Sequence, residues 1–277
     1  MLFHIHLVSD STGETIESLT RACLAQFEEV DVKKHTWNLI RSQPLLKTAL
    51  VGIKDNYGLV LYTFVDEKLR TILEDFCHEN EIPCISVLRP ILRAMIALFG
   101  KTPAHNPGRQ HALDADYFAR IDAMDFAMAQ DDGQGEEKLK DAEIIIIGVS
   151  RTSKTPTCIY LAGRGFRAAN VPFIPGRAMP DFSIMKKPLI VGFTKDAESL
   201  VAIRRARMKM LKEDRDTPYT NPEAVCAELR ESRRFFARLG CPVIDVSRRS
   251  IEETAAEILM LLSRKREKEA ERGENEA

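Results

Sequence analysis

"IIIIGVSRTSKTPT", residues 144–157, runs four isoleucines into a glycine and then into a polar turn ending in Lys154 and Thr155. A short, wholly apolar run bounded by turn residues is the pattern of a buried strand in a parallel sheet. Pro156 falls where the first turn of a helix would lie, the one helical position at which its missing N–H is not needed. The stretch therefore predicts a strand over 143–147, a tight turn, and a helix to about residue 162. Such a turn aims backbone N–H groups at whatever sits above the sheet, and the helix N-terminus adds partial positive charge there. Gly148 lets the chain leave the strand sharply. Lys154 would supply a mobile cation from a surface loop for a terminal phosphate, and the Thr155 hydroxyl would suit a magnesium ion. The spacing is that of the phosphate-binding pattern G-x-x-x-x-G-K-[ST], except that Ser153 replaces the second glycine. Arg151 partly answers that departure, because a guanidinium can grip phosphate oxygens with two N–H groups. The alternative is a strand-to-helix turn with incidental basic residues.

Outward from this stretch, strand and helix patterns alternate along the chain. On the N-terminal side, 2–8, 33–40, 58–65 and 82–88 read as strands, and Ile16, Leu19, Cys23 and Phe27 form a helical stripe, as do Leu69, Ile72, Leu73, Phe76 and Cys77. On the C-terminal side, 187–194 and 241–247 read as strands. Helices are predicted in the basic run beginning at Asp196, around 222–239, and from Ser250, where Ser250 and Glu253 have capping-box spacing. Strands separated by helices imply parallel crossover units. The predicted fold class is α/β: an N-terminal open α/β sheet domain over 1–100, a linker or mobile helical segment over 101–142, and a P-loop-containing α/β domain over 143–277 with a charged, frayed tail. Within the joining segment, "GKTPAHNPGRQ" reads as linker and "DDGQGEEKLKD" as an exposed loop. No internal repeat is visible.

Bulk properties narrow the function classes. Lys plus Arg number 40 against 41 Asp plus Glu, a formal net charge of −1, which gives no electrostatic footing for nucleic acid or an anionic membrane. No apolar run approaches the roughly 20 residues that span a bilayer. The N-terminus lacks the basic region of a signal peptide. Six scattered cysteines without metal-ligand spacing suggest buried free thiols in a reducing compartment. A soluble, cytoplasmic protein is expected.

"GVSRTSKTPT" (148–157) continues after two residues into "YLAGRGFRAANVPFIP" (160–175), and this loop resembles that of the regulatory proteins of bacterial and plant pyruvate, phosphate dikinase. Their sister group acts on phosphoenolpyruvate synthase. "HLVSDSTGET" (6–15), "GRQHALDADYFARIDAMDFAMAQDDG" (108–133) and "PVIDVSRRSIEETAAEI" (242–258) also resemble family segments, in the same order, so the resemblance covers nearly the whole chain. The second of these looks more like the dikinase branch. The resemblance implies a bifunctional serine/threonine kinase and phosphorylase. One activity transfers the β-phosphate of ADP to a threonine of the dikinase, inactivating it and releasing AMP. The other uses inorganic phosphate to remove that group as pyrophosphate. Ser153 belongs to the family pattern. The implied nucleotide loop is Gly148, Val149, Ser150, Arg151, Thr152, Ser153, Lys154 and Thr155, with Lys154 and Arg151 stabilising the transferred group and magnesium as the expected ion at Thr155.

Other residues carry two readings. Ser11 and Glu14 have capping-box spacing, while Asp10 is a candidate base for a threonine hydroxyl. His4 and His6 share a strand face without an evident third ligand. His105 and His111 flank the linker. The basic run 204–210 reads as a solvated helix face, a docking surface or a clamp for phosphate. Asp245 ends a strand beside Arg248 and Arg249. Competing functions are the same chemistry on phosphoenolpyruvate synthase, a P-loop kinase of a small molecule using ATP, and a nucleotide-sensing protein without catalysis. The sequence leaves the oligomeric state open, a homodimer included.

Overall fold

The structure, a computed structural model, describes residues 2–103, 115–131, 136–185, 187–211 and 217–275. It is an α/β protein of two compact units, Met1–Ala112 and Leu113–Ala277, each built on a four-stranded, wholly parallel sheet. His105 and His111 lie outside the described residues.

The first unit contains β1 (Leu2–Val8), α1 (Glu14–Leu24), β2 (Asp31–Trp37), α2 (Gln43–Asp55), β3 (Leu59–Tyr62), α3 (Glu67–Glu79), β4 (Cys84–Ser86) and α4 (Arg89–Phe99), with strand order β2-β1-β3-β4. Its core gathers Val8, Val60 and Tyr62 from the strands with Leu46, Ala49 and Ile53 of α2 and Leu69, Leu73 and Cys77 of α3. The expected capping box of Ser11 and Glu14 does not form. Gly13 caps α1 in a left-handed conformation (φ 82°) with no side-chain cap bond, so the helix begins at Glu14 itself.

The second unit opens with α5 (Ala115–Ala129) and a 3₁₀ turn at Glu136–Asp141. There follow β5 (Ile144–Gly148), α6 (Lys154–Gly163), β6 (Ala168–Pro172), β7 (Leu189–Thr194), α7 (Ala197–Met210), α8 (Pro222–Leu239), β8 (Val243–Asp245) and α9 (Ile251–Asn275), with strand order β6-β5-β7-β8. Helix α5 packs on α6 through Ala123, Ala127 and Ala162. The 131–141 stretch is not wholly exposed: Leu139 is fully buried in the core beside Ala142.

The four isoleucines show why an uninterrupted apolar run is a strand here. Successive side chains of a strand point to opposite faces. Ile145 and Ile147 enter one core with Leu200 and Val201 of α7 and Val225, Leu229 and Phe236 of α8. Ile144 and Ile146 enter the other with Leu161 of α6 and Ala255, Ile258 and Leu262 of α9. All four are fully buried, so neither face tolerates a polar residue.

Ser250 and Glu253 form their reciprocal cap: Glu253 N donates to Ser250 Oγ at 3.1 Å and Ser250 N to Glu253 Oε2 at 2.8 Å. The C-terminal segment is not a frayed tail, since α9 continues to Asn275. Its charges alternate at helical spacing, as in the Lys265–Glu269 pair, and Lys265 also donates to the Lys187 and Pro188 carbonyls. All six cysteines are free thiols. The expectation of burial holds for Cys77 and Cys158, whereas Cys23 and Cys226 are exposed on the outer faces of α1 and α8.

Candidate active site

In a sheet ordered β6-β5-β7-β8, the chain leaves β5 toward one neighbour and later returns on the other side. The carboxyl ends of β5 and β7 are thus the switch point, where ligands of open α/β sheets bind. Residues 148–155 stand at that point. Gly148 pairs in register with Phe193 of β7. A Cβ added to Gly148 would come within 2.9 Å of Thr152 Oγ1 and 3.1 Å of Phe193 Cβ, so glycine is required by close approach of the turn to the strand end.

The turn is knotted around inward carbonyls. Thr152 Oγ1 and Lys154 Nζ both donate to Val149 O, at 2.9 and 3.0 Å. Arg151 and Ser153 both have positive φ, 71° and 62°. Ser153 is the residue that stands where the phosphate-binding pattern expects glycine. It adopts the left-handed conformation that glycine takes freely, a strain of order 1–3 kcal/mol for a serine. Helix α6 begins at the next residue, Lys154.

Lys154 is not the mobile surface cation that its loop position suggests; it is 6% exposed. A cation in the first turn of a helix faces the positive end of the macrodipole, which disfavours it by about 0.3–1 kcal/mol unless an anion is near. Arg151 is exposed, and among the described residues none forms an ion pair with it. The two basic groups therefore present one buried and one open cation at the same helix N-terminus.

On one side of the turn Thr155 Oγ1 donates to Asp131 Oδ1 at 2.9 Å. Asn170 of β6 donates through Nδ2 to Asp131 Oδ1 at 2.6 Å and to Thr155 Oγ1 at 2.9 Å. On another side Ser150 Oγ lies 3.1 Å from Tyr219 Oη, and the guanidinium of Arg204 donates to Ser150 O at 3.1 Å. Arg204, the first residue of the basic run 204–210 read as a solvated helix face, is 1% exposed. Behind the turn, burial and the nearby Asp131 push the Cys158 thiol well up, so it stays protonated and is no nucleophile.

Asp10 stands in the first unit, past the carboxyl end of β1. The order β2-β1-β3-β4 makes this too a switch point, between β1 and β3. Asp10 is 2% exposed. Its Oδ2 accepts from Val65 N at 2.7 Å, past the end of β3, and its carbonyl accepts from Arg41 Nε at 3.0 Å. Ser9 Oγ beside it accepts from Thr63 Oγ1 at 2.9 Å. Burial raises the Asp10 carboxyl above its usual range, partly opposed by backbone N–H bonds from Val65 and Asp66.

The remaining candidates have structural partners. His6 Nε2 bonds to Asn56 O at 2.7 Å, and Trp37 Nε1 donates to His6 Nδ1 at 3.2 Å. His4 Nδ1 lies 2.9 Å from His35 Nε2. Among the described residues no group of three or more His, Cys, Asp or Glu side chains could hold a metal ion. Arg249 is paired with Glu257, and Asp245 accepts from the Ser247 backbone at 2.9 Å. Asp131, Asn170 and Tyr219 were not singled out in the sequence as contacts of the loop, and Arg204 entered only as one member of a basic run; the fold brings all four to the turn from other segments.

A family model described as "Kinase/pyrophosphorylase" matches residues 5–259. Similar curated proteins come from Paramagnetospirillum magneticum, 51% identical over 96% of this chain and 86% of that one, and Rhodospirillum rubrum, 48% identical over 94% of each. A third, from Caulobacter vibrioides, is 50% identical over 94% of this chain and 83% of the other. All three are named, provisionally, as pyruvate, phosphate dikinase regulatory proteins. No helix among the described residues is long and apolar enough to cross a membrane.

Proposed function

The chain belongs to the kinase/pyrophosphorylase family, a family of phosphotransferases, and from that membership we propose that it regulates pyruvate, phosphate dikinase by reversible phosphorylation of a threonine. In the kinase direction the threonine oxygen attacks the β-phosphorus of ADP, the bond to the bridging oxygen breaks, and AMP leaves. In the phosphorylase direction an oxygen of inorganic phosphate attacks the phosphothreonine phosphorus, and pyrophosphate leaves as the threonine oxygen regains a proton.

One observation carries the reading: a buried lysine, Lys154, and an exposed arginine, Arg151, converge with a helix N-terminus at the carboxyl end of β5. Phosphoryl transfer asks chiefly for alignment and for charge stabilisation on the equatorial oxygens. Lys154 would exchange its bond to Val149 O for a phosphate oxygen, and Arg151 would close from solvent. Both directions need the same oxygens stabilised, so one site serves both reactions with the acceptor exchanged. Asp10 is the proposed base for the threonine proton; a carboxyl with a raised pKa is a better proton acceptor at neutral pH than an ordinary one.

Magnesium fits the donor set. Thr155 Oγ1 and the Asp131 carboxylate are hard oxygen donors in mutual contact, and this ion commonly takes one or two protein oxygens and completes its shell with phosphate and water. When bound it would neutralise charge on the phosphates. Thr155 and Asp131 would hold it, and Asn170 would hold them.

The test supplies ADP freed of ATP, and separately ATP freed of ADP, to the protein with pyruvate, phosphate dikinase or phosphoenolpyruvate synthase, and reads threonine phosphate by mass spectrometry. A third phosphate would displace the reacting group in a turn crowded by Arg151 and Ser153, and about 1 Å of misplacement costs around 10²-fold in rate. ADP-dependent phosphate on the dikinase is expected. Equal rates from ATP would favour an ordinary P-loop kinase, phosphate only on the synthase would move the target, and nucleotide binding with no transfer to either would leave a sensing protein.

A further inference from the structure

We propose that Arg204 is a positioning residue for the 148–155 turn, holding the Ser150–Arg151 peptide in its nucleotide-facing orientation from behind. The inference rests on the reading of that turn as the nucleotide site, and it adds a residue that touches no substrate.

Arg204 is the largest fully buried side chain among the described residues. Its fork reaches three separate places. Nη2 donates to Ser150 O at 3.1 Å, while Nη1 donates to Tyr219 O at 3.2 Å and to Glu228 Oε2 of α8 at 2.7 Å. The guanidinium carbon also lies 4.5 Å from the centre of the Tyr219 ring, whose hydroxyl contacts Ser150 Oγ at 3.1 Å. Ser150 is thus gripped through both its carbonyl and its side chain.

Packing does not explain this arrangement. The Nε of Arg204 is buried without a hydrogen-bond partner among the described residues, an expense that an apolar residue in the same seat would avoid. What an apolar residue could not do is fix a carbonyl. A trans peptide is planar, with its C=O and N–H pointing in opposite directions. No cis peptide occurs among the described residues, so holding Ser150 C=O toward Arg204 turns the Arg151 N–H away from it. The same bond supports Arg151 at its positive φ of 71°, a conformation that an arginine would not keep unaided. A lysine could not replace the fork, because a single ammonium on a flexible stem cannot bridge a turn carbonyl, a second carbonyl and a carboxylate with the same planarity.

The test compares wild type with Arg204→Gln, Arg204→Lys and the double variant Arg204→Met/Glu228→Leu. The double variant removes the buried pair without leaving Glu228 uncompensated, so thermal stability should return toward wild type. Two readouts separate positioning from bulk stability. The first is amide hydrogen exchange in the nucleotide-free protein. Losing a charge-assisted bond shifts a local equilibrium by about 10- to 100-fold, so exchange over 149–153 should quicken by that factor in all three variants, with the strands unchanged. The second is ADP titration by calorimetry together with phosphotransfer rate: the variants should bind ADP about tenfold more weakly, and restored stability in the double variant should not restore binding. Unchanged exchange over 149–153, or full recovery of both readouts in the double variant, would overturn the proposal. If wild type itself binds no ADP, the nucleotide reading falls, and the exchange comparison still decides whether Arg204 positions the turn.

Discussion

Replacing Lys154 by alanine separates what the turn does for chemistry from what it does for the fold. Lys154 Nζ donates to Val149 O at 3.0 Å, and the same carbonyl keeps a second donor, Thr152 Oγ1, at 2.9 Å. Alanine therefore does not leave the Val149 carbonyl orphaned. The loss includes the hydrogen bond to Val149 O, net about 1 kcal/mol, and some packing of the lysine stem, and it is offset by removing a cation from a helix N-terminus, about 0.3–1 kcal/mol. A stability change of about 1 kcal/mol or less is expected, which for a unit of this size moves the melting temperature by roughly 2–4 °C. The chemical effect is much larger, because removing a preorganised group that stabilises transition-state charge typically lowers the rate by about 10²–10³-fold, or about 2.7–4 kcal/mol. The assay follows β-labelled ADP onto threonine of the dikinase alongside a thermal melt of the same sample. Label transfer within threefold of wild type would refute the reasoning, since a buried cation that can be deleted without kinetic effect is not neutralising phosphate. A collapse in melting temperature would refute the ledger, by showing that the lysine serves the fold first.

Thr155→Val keeps the shape but deletes an oxygen that both accepts from Asn170 and donates to Asp131, so the magnesium concentration for half-maximal rate should rise about tenfold; an unchanged titration would put the ion elsewhere. Asp10 should set the acid limb of the pH–rate profile above the ordinary carboxylate value of about 3.9, because burial raises it, and activity should fall as pH drops through that limb. Asp10→Asn should abolish the limb and leave a rate about 10²–10⁴-fold lower, whereas a persisting limb would assign the base to another group. His6 donates through Nε2 to Asn56 O and accepts Trp37 Nε1–H at Nδ1, so protonation would set two donors face to face. Burial lowers His6 and the stacked His35, so their contribution to stability is complete above the unfolded value of about 6.5 and is lost as pH falls through the lowered folded values. Fluorescence of Trp37, the chain's one tryptophan, should report this acid weakening, and His6→Gln should flatten its slope.

The parts of the fold that were legible in the sequence are those whose signals are local. β1 and α8 fall at the predicted boundaries, because alternation in one and a strong apolar stripe with Asn221 and Pro222 in the other need no partner to be read. β6, "AANVP", was not legible. It has a single β-branched residue and a proline, and it is a strand only because β5 offers a ladder beside which small residues fit. The turn 148–155 was legible as a position and a set of residue types. Its support was not: Asp131 closed what looked like an exposed loop, and Arg204 sat among basic neighbours that do face solvent. Whether one arginine of a basic helix points inward depends on Glu228 and Tyr219, whose proximity only the tertiary fold creates. The Ser11–Glu14 spacing misled for the converse reason: Gly13, free to take φ 82°, starts the helix later than the motif implies.

The ordering β2-β1-β3-β4 has a consequence for the protein's birth on the ribosome. A parallel sheet has no hairpin to form early, and every ladder waits for the strand that closes it. In this chain the first sheet is complete once Ser86 has emerged, while the first strand of the second sheet begins only at Ile144. At about 5–20 residues per second, the interval between them lasts roughly 3–12 s, ample for a domain of this size to bury its core. The apolar run 144–147, which unfolded could pair with a stray strand edge, therefore emerges when the N-terminal strands have already found each other. Moving it to the front of the chain by circular permutation should leave the folded structure attainable but raise aggregation during synthesis.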